Sequence, residues 1–162
     1  MANQELTFGE EEFIVSKTDL AGNITYGNSL FIQISGHTED ELIGAPHNLL
    51  RHPDMPAVIF KLLWDRIKAG KEFFAYVKNN TKENDYYWVY AHVTPSFDAN
   101  RSISNYHSVR RKPTAKALNV IQPLYATLLQ KERSSGIMAS EAALNDLLKE
   151  KGLSYDEFIF SL

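Results

Sequence analysis

Ten consecutive residues, His47-Asn48-Leu49-Leu50-Arg51-His52-Pro53-Asp54-Met55-Pro56, bring two imidazoles, a guanidinium, an amide and a carboxylate into one short stretch. Such a set can wall a pocket: Arg51 and the start of a following helix would hold an anion, while His47 and His52 hydrogen-bond a ligand. The same residues admit a local reading, in which Asp54 caps the helix, Arg51 pairs with Asp54 and the histidines are solvated. A metal held by His47, His52 and Asp54 would need a spacing that matches no common ligand pattern. Asn28 and Asn79 each close a β segment. A primary amide offers an acceptor and two donors, the complement of a uracil-like ring edge, and is equally a common turn residue. Phe60 and Trp64 share one helical face and either wall a planar ligand or pack the core. Arg110-Arg111-Lys112 reads as a solvated strand end.

The chemistry excluded is as informative. The chain has no cysteine, so disulfides, thiol nucleophiles, zinc–thiolate and iron–sulfur sites are ruled out. Glycine-rich dinucleotide and phosphate loops, His-Glu-x-x-His, Gly-x-Ser-x-Gly and calcium loops do not occur in it. Seventeen Lys and Arg against 20 Asp and Glu leave a formal charge of -3, which argues against electrostatic capture of nucleic acid. A hydrophobic share of 44% over 162 residues suits one globular domain with a real core and room for a further helical segment. Residues 1–13 carry acids and no apolar core of a leader, and no apolar run reaches the ~20 residues of a membrane span. A small, soluble, intracellular protein is expected.

The elements that must position these residues follow from period and punctuation. Residues 13–28 read as a hairpin around the turn Asp19–Asn23, with Gly22-Asn23 suited to positive φ. Helical turns follow over 29–35 and 38–42, the second opened by a Thr38/Glu41 capping box. Pro56 opens a helix that runs to about Gly70, with Val58, Ile59, Leu62, Leu63, Arg66 and Ile67 at helical spacing. Three β segments come next, over 73–78, 86–95 and 103–111, with the first turn beginning at Asn79. In the middle segment Tyr87, Val89, Ala91 and Val93 form the better core face, and Tyr86, Trp88, Tyr90 and His92 imply a partly covered outer face. From residue 114 amphipathic helices run to the end of the chain. The whole is an α+β pattern.

The order Thr18-Asp19-Leu20, Ile24-Thr25, Asn28, then Gly44-x-Pro46-His47-Asn48-x-x-Arg51-His52-Pro53-Asp54-Met55-Pro56, Phe60, Trp64, Val77-Lys78-Asn79 and Tyr87-Trp88-Val89 resembles the PAS domain of bacterial aerotaxis, or energy-taxis, receptors. The resemblance covers about residues 12–112. It implies a PAS fold: a five-stranded antiparallel sheet with short helices on one face, here plus a C-terminal helical extension. The division implied is an N-terminal segment over 1–11, a PAS sensor domain over 12–112 and the extension over 113–162.

The resemblance also implies non-covalent FAD, with Asn28, His47, Arg51, His52, Asp54, Phe60, Trp64 and Asn79 as the binding or signalling residues. Asn79 matches the asparagine that light-sensing PAS relatives set against the flavin's polar edge. Those relatives need a cysteine for their photocycle, so adduct-forming light sensing is excluded here. Full receptors of the family continue into a membrane anchor and a methyl-accepting signalling domain, neither of which fits the last ~50 residues. The resemblance therefore implies the stand-alone form. That form is expected to be a cytoplasmic redox or oxygen sensor, not an enzyme, that signals by conformation to a separate membrane-bound methyl-accepting chemotaxis transducer. A homodimer is a further expectation, because PAS sheets commonly pair. The extension would either dock a partner or pack on its own domain. Two alternatives stay open: a haem-binding gas sensor using His47 or His52, and a ligand-free interaction module.

Overall fold

The computed structural model describes residues 3–162, so the first two residues of the expected N-terminal segment lie outside the described residues. Five strands, β1 (Ile14–Thr18), β2 (Ile24–Gly27), β3 (Phe73–Asn80), β4 (Tyr86–Phe97) and β5 (Ile103–Arg111), form one antiparallel sheet in the order β2-β1-β5-β4-β3. The first hairpin closes where its residues demand. Asp19 Oδ1 accepts from the amides of Ala21 at 3.0 Å and Asn23 at 2.9 Å, and Gly22 sits at φ +89°, where only glycine is unstrained.

Between β2 and β3 run α1 (Ser29–Ser35), α2 (Glu39–Leu42), a 3-10 turn (His47–Leu50) and α3 (Ala57–Lys68). The capping box on α2 is present: the Glu41 amide donates to Thr38 Oγ1 at 3.2 Å and the Thr38 amide to Glu41 Oε1 at 3.0 Å. One boundary departs from the sequence reading in a way that matters. The strand does not end before Asn79. It continues through Asn80, pairing Asn79 with Tyr87 and Asn80 with Tyr86, because the long partner β4 offers ladder bonds that outweigh asparagine's turn preference. The turn moves to 81–85, where Asn84 adopts φ +63°.

Two apolar cores result. Ile14, Ile24, Phe31, Leu42, Leu50, Tyr87 and Val89 are buried together between the sheet and the small helices. The second core joins Val58, Ile59 and Ile67 of α3 to Phe73, Tyr76 and Trp88 of the sheet, and to residues of α4 (Ala115–Ser135), α5 (Ile137–Lys151) and α6 (Tyr155–Phe160). The extension therefore packs on its own sheet. Trp88, on the outer face, is buried because the Tyr125 ring of α4 lies 6.1 Å from it. On β3's free side the Tyr125 hydroxyl donates to the Tyr76 carbonyl at 2.6 Å and the Tyr155 hydroxyl to the Phe74 carbonyl at 2.8 Å. Burial raises both phenol pKa values, so both remain donors.

Candidate functional site

Where α3 crosses the inner face of the sheet it leaves a cavity of about 220 Å³. One wall comes from α3, whose Phe60, Leu63 and Trp64 line it; four-residue spacing puts Phe60 and Trp64 on one side of the helix. The Trp64 ring stands edge-on to Tyr106 at 5.7 Å. A Cβ at Gly22 would lie 3.2 Å from the Trp64 ring, so a side chain in the β1–β2 turn would push this indole by a few tenths of an ångström, on top of the strain of its positive φ. The Arg51 guanidinium lies over the Phe60 ring at 4.2 Å, and Arg51 bridges to Asn79 across the end of β3.

The opposite wall is polar and unusual. Arg110 on β5 is buried, with 3% of its surface exposed, yet among the described residues no carboxylate pairs with it. Its Nη2 donates to Ser16 Oγ at 2.6 Å and its Nη1 to His47 Nε2 at 3.2 Å, and its guanidinium packs on the Phe31 ring at 4.8 Å. Ser16 Oγ, having accepted from Arg110, has its own hydrogen to share with Arg110 Nη1 on the one lone pair of His47 Nε2, 3.1 Å away. A nitrogen that accepts from a guanidinium carries no proton, so the His47 tautomer is Nδ1–H. Burial first, and the Arg110 charge second, push the His47 pKa down to about 3. Burial lowers Arg110 to about 10, which leaves it a cation at neutral pH.

Two buried polar atoms here have no hydrogen-bond partner among the described residues, Arg110 Nε and the Tyr87 hydroxyl. Burial raises the Tyr87 phenol while Arg110 and the Asn79 amide pull it down; Asn79 is thus near the hydroxyl without the geometry of a hydrogen bond. Asn79 is itself buried and faces the cavity. A lone buried cation on a cavity wall is costly unless something acceptor-rich meets it. A flavin ring edge is such a partner: Arg110 and the Asn79 amide would meet its carbonyls and ring nitrogens, and Phe60 and Trp64 its faces. The cavity volume lies below the roughly 300–1,000 Å³ of whole-ligand pockets, so it suits a ring system whose arm leaves it. Beside it, sharing Asn48 and Arg51, an open cleft of about 510 Å³ runs past His52, Pro53, Ala57 and Glu132.

Of the residues expected at the site, His47, Arg51, Phe60, Trp64 and Asn79 come together around the cavity. Asn28, His52 and Asp54 do not. Asn28 is the N-cap of α1: its Oδ1 accepts from the Val15 and Phe31 amides, each at 3.1 Å, and its Nδ2 donates to the Phe13 carbonyl at 2.9 Å. His52 faces the outer cleft, its Nδ1 accepting from the Asp54 amide at 3.0 Å and its ring edge-on to Tyr86; burial, then Lys78, lowers its pKa. Asp54 neither caps α3 nor pairs with Arg51. It pairs with Lys78 at 2.8 Å, and that bond lowers its pKa.

Sequence reasoning missed Arg110, read as part of a solvated strand end. The period-two alternation Tyr106, Ser108, Arg110 was the available signal, since it puts Arg110 on the inward face with Tyr106 and leaves Arg111 outside. Ser16 carried no signal, being one polar residue in a short strand.

A five-stranded antiparallel sheet with small helices and a cavity under α3 is the architecture of a PAS domain, and the chain belongs to that family: the family model described as PAS fold matches residues 24–110. Its similarity to aerotaxis receptors bears out the resemblance read from the motif. The chain is 38% identical over 128 residues to the aerotaxis receptor of Escherichia coli (strain K12), covering 79% of this chain and 25% of that receptor. It is 31% identical over 81 residues to the biofilm dispersion protein BdlA of Pseudomonas aeruginosa, covering 49% of this chain and 19% of that protein. The chain thus spans a quarter or less of these curated relatives. Among solved structures it resembles a light-oxygen-voltage domain studied with a flavin analogue, at TM-score 0.60 and 18% identity over 68% of this chain and 83% of that one. It also resembles the light-state domain of the blue-light photoreceptor Aureochrome1, at TM-score 0.58 and 21% identity over 77% and 92%. At such identities the likeness is one of fold. No helix among the described residues is long and apolar enough to cross a membrane.

Proposed function

We propose that this PAS domain holds a flavin, FAD, in the cavity beneath α3 and serves as a redox or oxygen sensor in energy taxis. The observation that carries the reading is Arg110: a buried cation that pairs with no carboxylate among the described residues and has an unpaired Nε, lining with Asn79 the sheet side of a ring-sized cavity. The bound flavin would supply reversible electron acceptance. The chain's own residues do the rest. Arg110 stabilises negative charge on the ring's polar edge, Asn79 donates or accepts as that edge changes, and Phe60 and Trp64 hold the plane and exclude water. Arg51, between cavity and cleft, meets the anionic arm. Asn79 lies on β3, so a new hydrogen-bond pattern at its amide bears directly on the strand that packs against the extension.

The output is conformational, without turnover, and its recipient is a separate membrane-bound methyl-accepting chemotaxis transducer, which would keep this cytoplasmic protein at the membrane. The E. coli relative's name supports taxis, and the flavin analogue used with the light-oxygen-voltage neighbour supports the ligand class. With no cysteine in the chain, adduct photochemistry has no nucleophile. Haem is disfavoured because His47 Nε2 is engaged by Arg110 and Ser16, and His52 lies outside the cavity.

The test is an absorption spectrum of the purified chain, followed by release and identification of its chromophore. Bands near ~450 nm with FAD in the released fraction support the reading. A Soret band, or a colourless protein that takes up neither FAD nor FMN, overturns it.

A further inference from the structure

The cavity helix α3 begins at Pro56, which has no side-chain acceptor for the free amides of the first turn. Those amides are met from far along the chain. Glu132 of α4 turns both carboxylate oxygens onto them: the Ala57 amide donates to Oε1 at 2.7 Å and the Val58 amide to Oε2 at 2.9 Å. The Ser140 hydroxyl of α5 lies 2.8 Å from the same Oε2 and 2.8 Å from the Ile137 carbonyl of its own helix, and shares its one hydrogen between them. One carboxylate therefore ties the helix that walls the cavity to α4 directly and meets α5 at Ser140. Free amides and the helix dipole favour a carboxylate there, and the local acid that would compete, Asp54, is held by Lys78.

A second observation concerns where this knot lies. The cleft that contains Glu132 and Ala57 shares Arg51 and Asn48 with the ring-sized cavity. Arg51 in turn rests on Phe60, one turn into α3. The start of α3 thus sets where Phe60 and Arg51 stand on the cavity wall.

We infer that Glu132, outside the PAS region itself, is a positioning residue for the cavity, and that the same contact makes docking of the extension depend on what the cavity holds. Only the second half rests on the flavin reading. Linkage requires the two effects to be equal: the factor by which the Glu132 contact strengthens ligand binding is the factor by which bound ligand strengthens the contact.

The test is a cycle on the full chain, wild type and Glu132→Gln, each with and without FAD, read by amide hydrogen exchange and by FAD titration. Without FAD, E132Q is expected to speed exchange at Ala57 and Val58 by on the order of tenfold and to carry the rise through Phe60 to Trp64, with partial rescue by Glu132→Asp. A rise confined to Ala57 and Val58 overturns the positioning role. With FAD, exchange over Leu144–Leu148 of α5 is expected to slow in the wild type by the factor that E132Q costs in FAD affinity, and not to slow in E132Q. FAD binding that leaves α5 unchanged in the wild type overturns the coupling. If the wild type binds no FAD, the flavin reading and the coupling fall together, and the pattern without FAD decides the positioning role.

Discussion

The two walls of the cavity are built on opposite principles. The β-side wall is a polar knot, Ser16–His47–Arg110, whose members bond to one another and belong to β1, the 3-10 turn and β5. The helical wall is aromatic, Phe60 and Trp64 on α3, and its position depends on a carboxylate supplied by another part of the chain. Hydrogen bonds of fixed direction make the first wall the fixed one, and apolar contacts, which fix no direction, make the second the movable one. On the proposed reading the fixed wall recognises the ligand, and its state leaves by two routes, Asn79 on β3 and the wall on α3.

Removing the movable wall is expected to have the largest effect. Trp64→Ala deletes a half-buried indole packed on Tyr106 and the Gly22 turn, and should lower unfolding free energy by about 3 kcal/mol in urea titration. Breaking the fixed wall should separate stability from binding. Arg110→Met removes a buried charge, so the fold should hold within roughly 1 kcal/mol or gain. FAD retention should nevertheless fall by about ten- to a hundredfold, the loss of a charged hydrogen bond. If R110M instead costs several kcal/mol while its folded fraction binds FAD as tightly as the wild type, the polar knot is structural only.

The same knot predicts a pH signature. His47 has its pKa lowered from 6.5 to about 3 in the folded chain, so the unfolded chain binds the extra proton between those values. Stability is complete above about pH 6.5 and drains as pH falls towards 3, with a slope of up to about 1.4 kcal/mol per pH unit. His47→Gln should flatten that slope in acid titrations followed by circular dichroism. The smallest effect is expected outside both walls. Asn28→Ala should cost the α1 cap, about 1 kcal/mol, while leaving FAD affinity unchanged, as equilibrium dialysis would show.

The contrast also explains what could be read in advance. Strands, the capping box and the alternation of β4 were legible because they rest on local period and punctuation. The aromatic wall was half legible: spacing put Phe60 and Trp64 on one face, but the choice between core and cavity depends on how far α3 stands from the sheet. Asn79 was found for its amide and misplaced in the chain, since its strand is extended by pairing with residues that lie well beyond it. Asp54 and Asn28 looked like ligands by position in a motif, and tertiary contacts gave each a different task. Arg110 was overlooked because two adjacent cations mask an alternation that separates them, one inward and one outward. Nothing near residue 57 points to Glu132; a cap supplied from another helix leaves no local trace.

Two tyrosine hydroxyls occupy two carbonyls on the free side of β3, and this bears on how the protein should be handled. A chain shortened after β5 would keep every strand yet free both carbonyls and uncover the aromatic rings beside them, an open template for another strand. Such a fragment should gather into edge-to-edge aggregates more readily than the intact chain. The last three helices then act as a guard on the edge they cover.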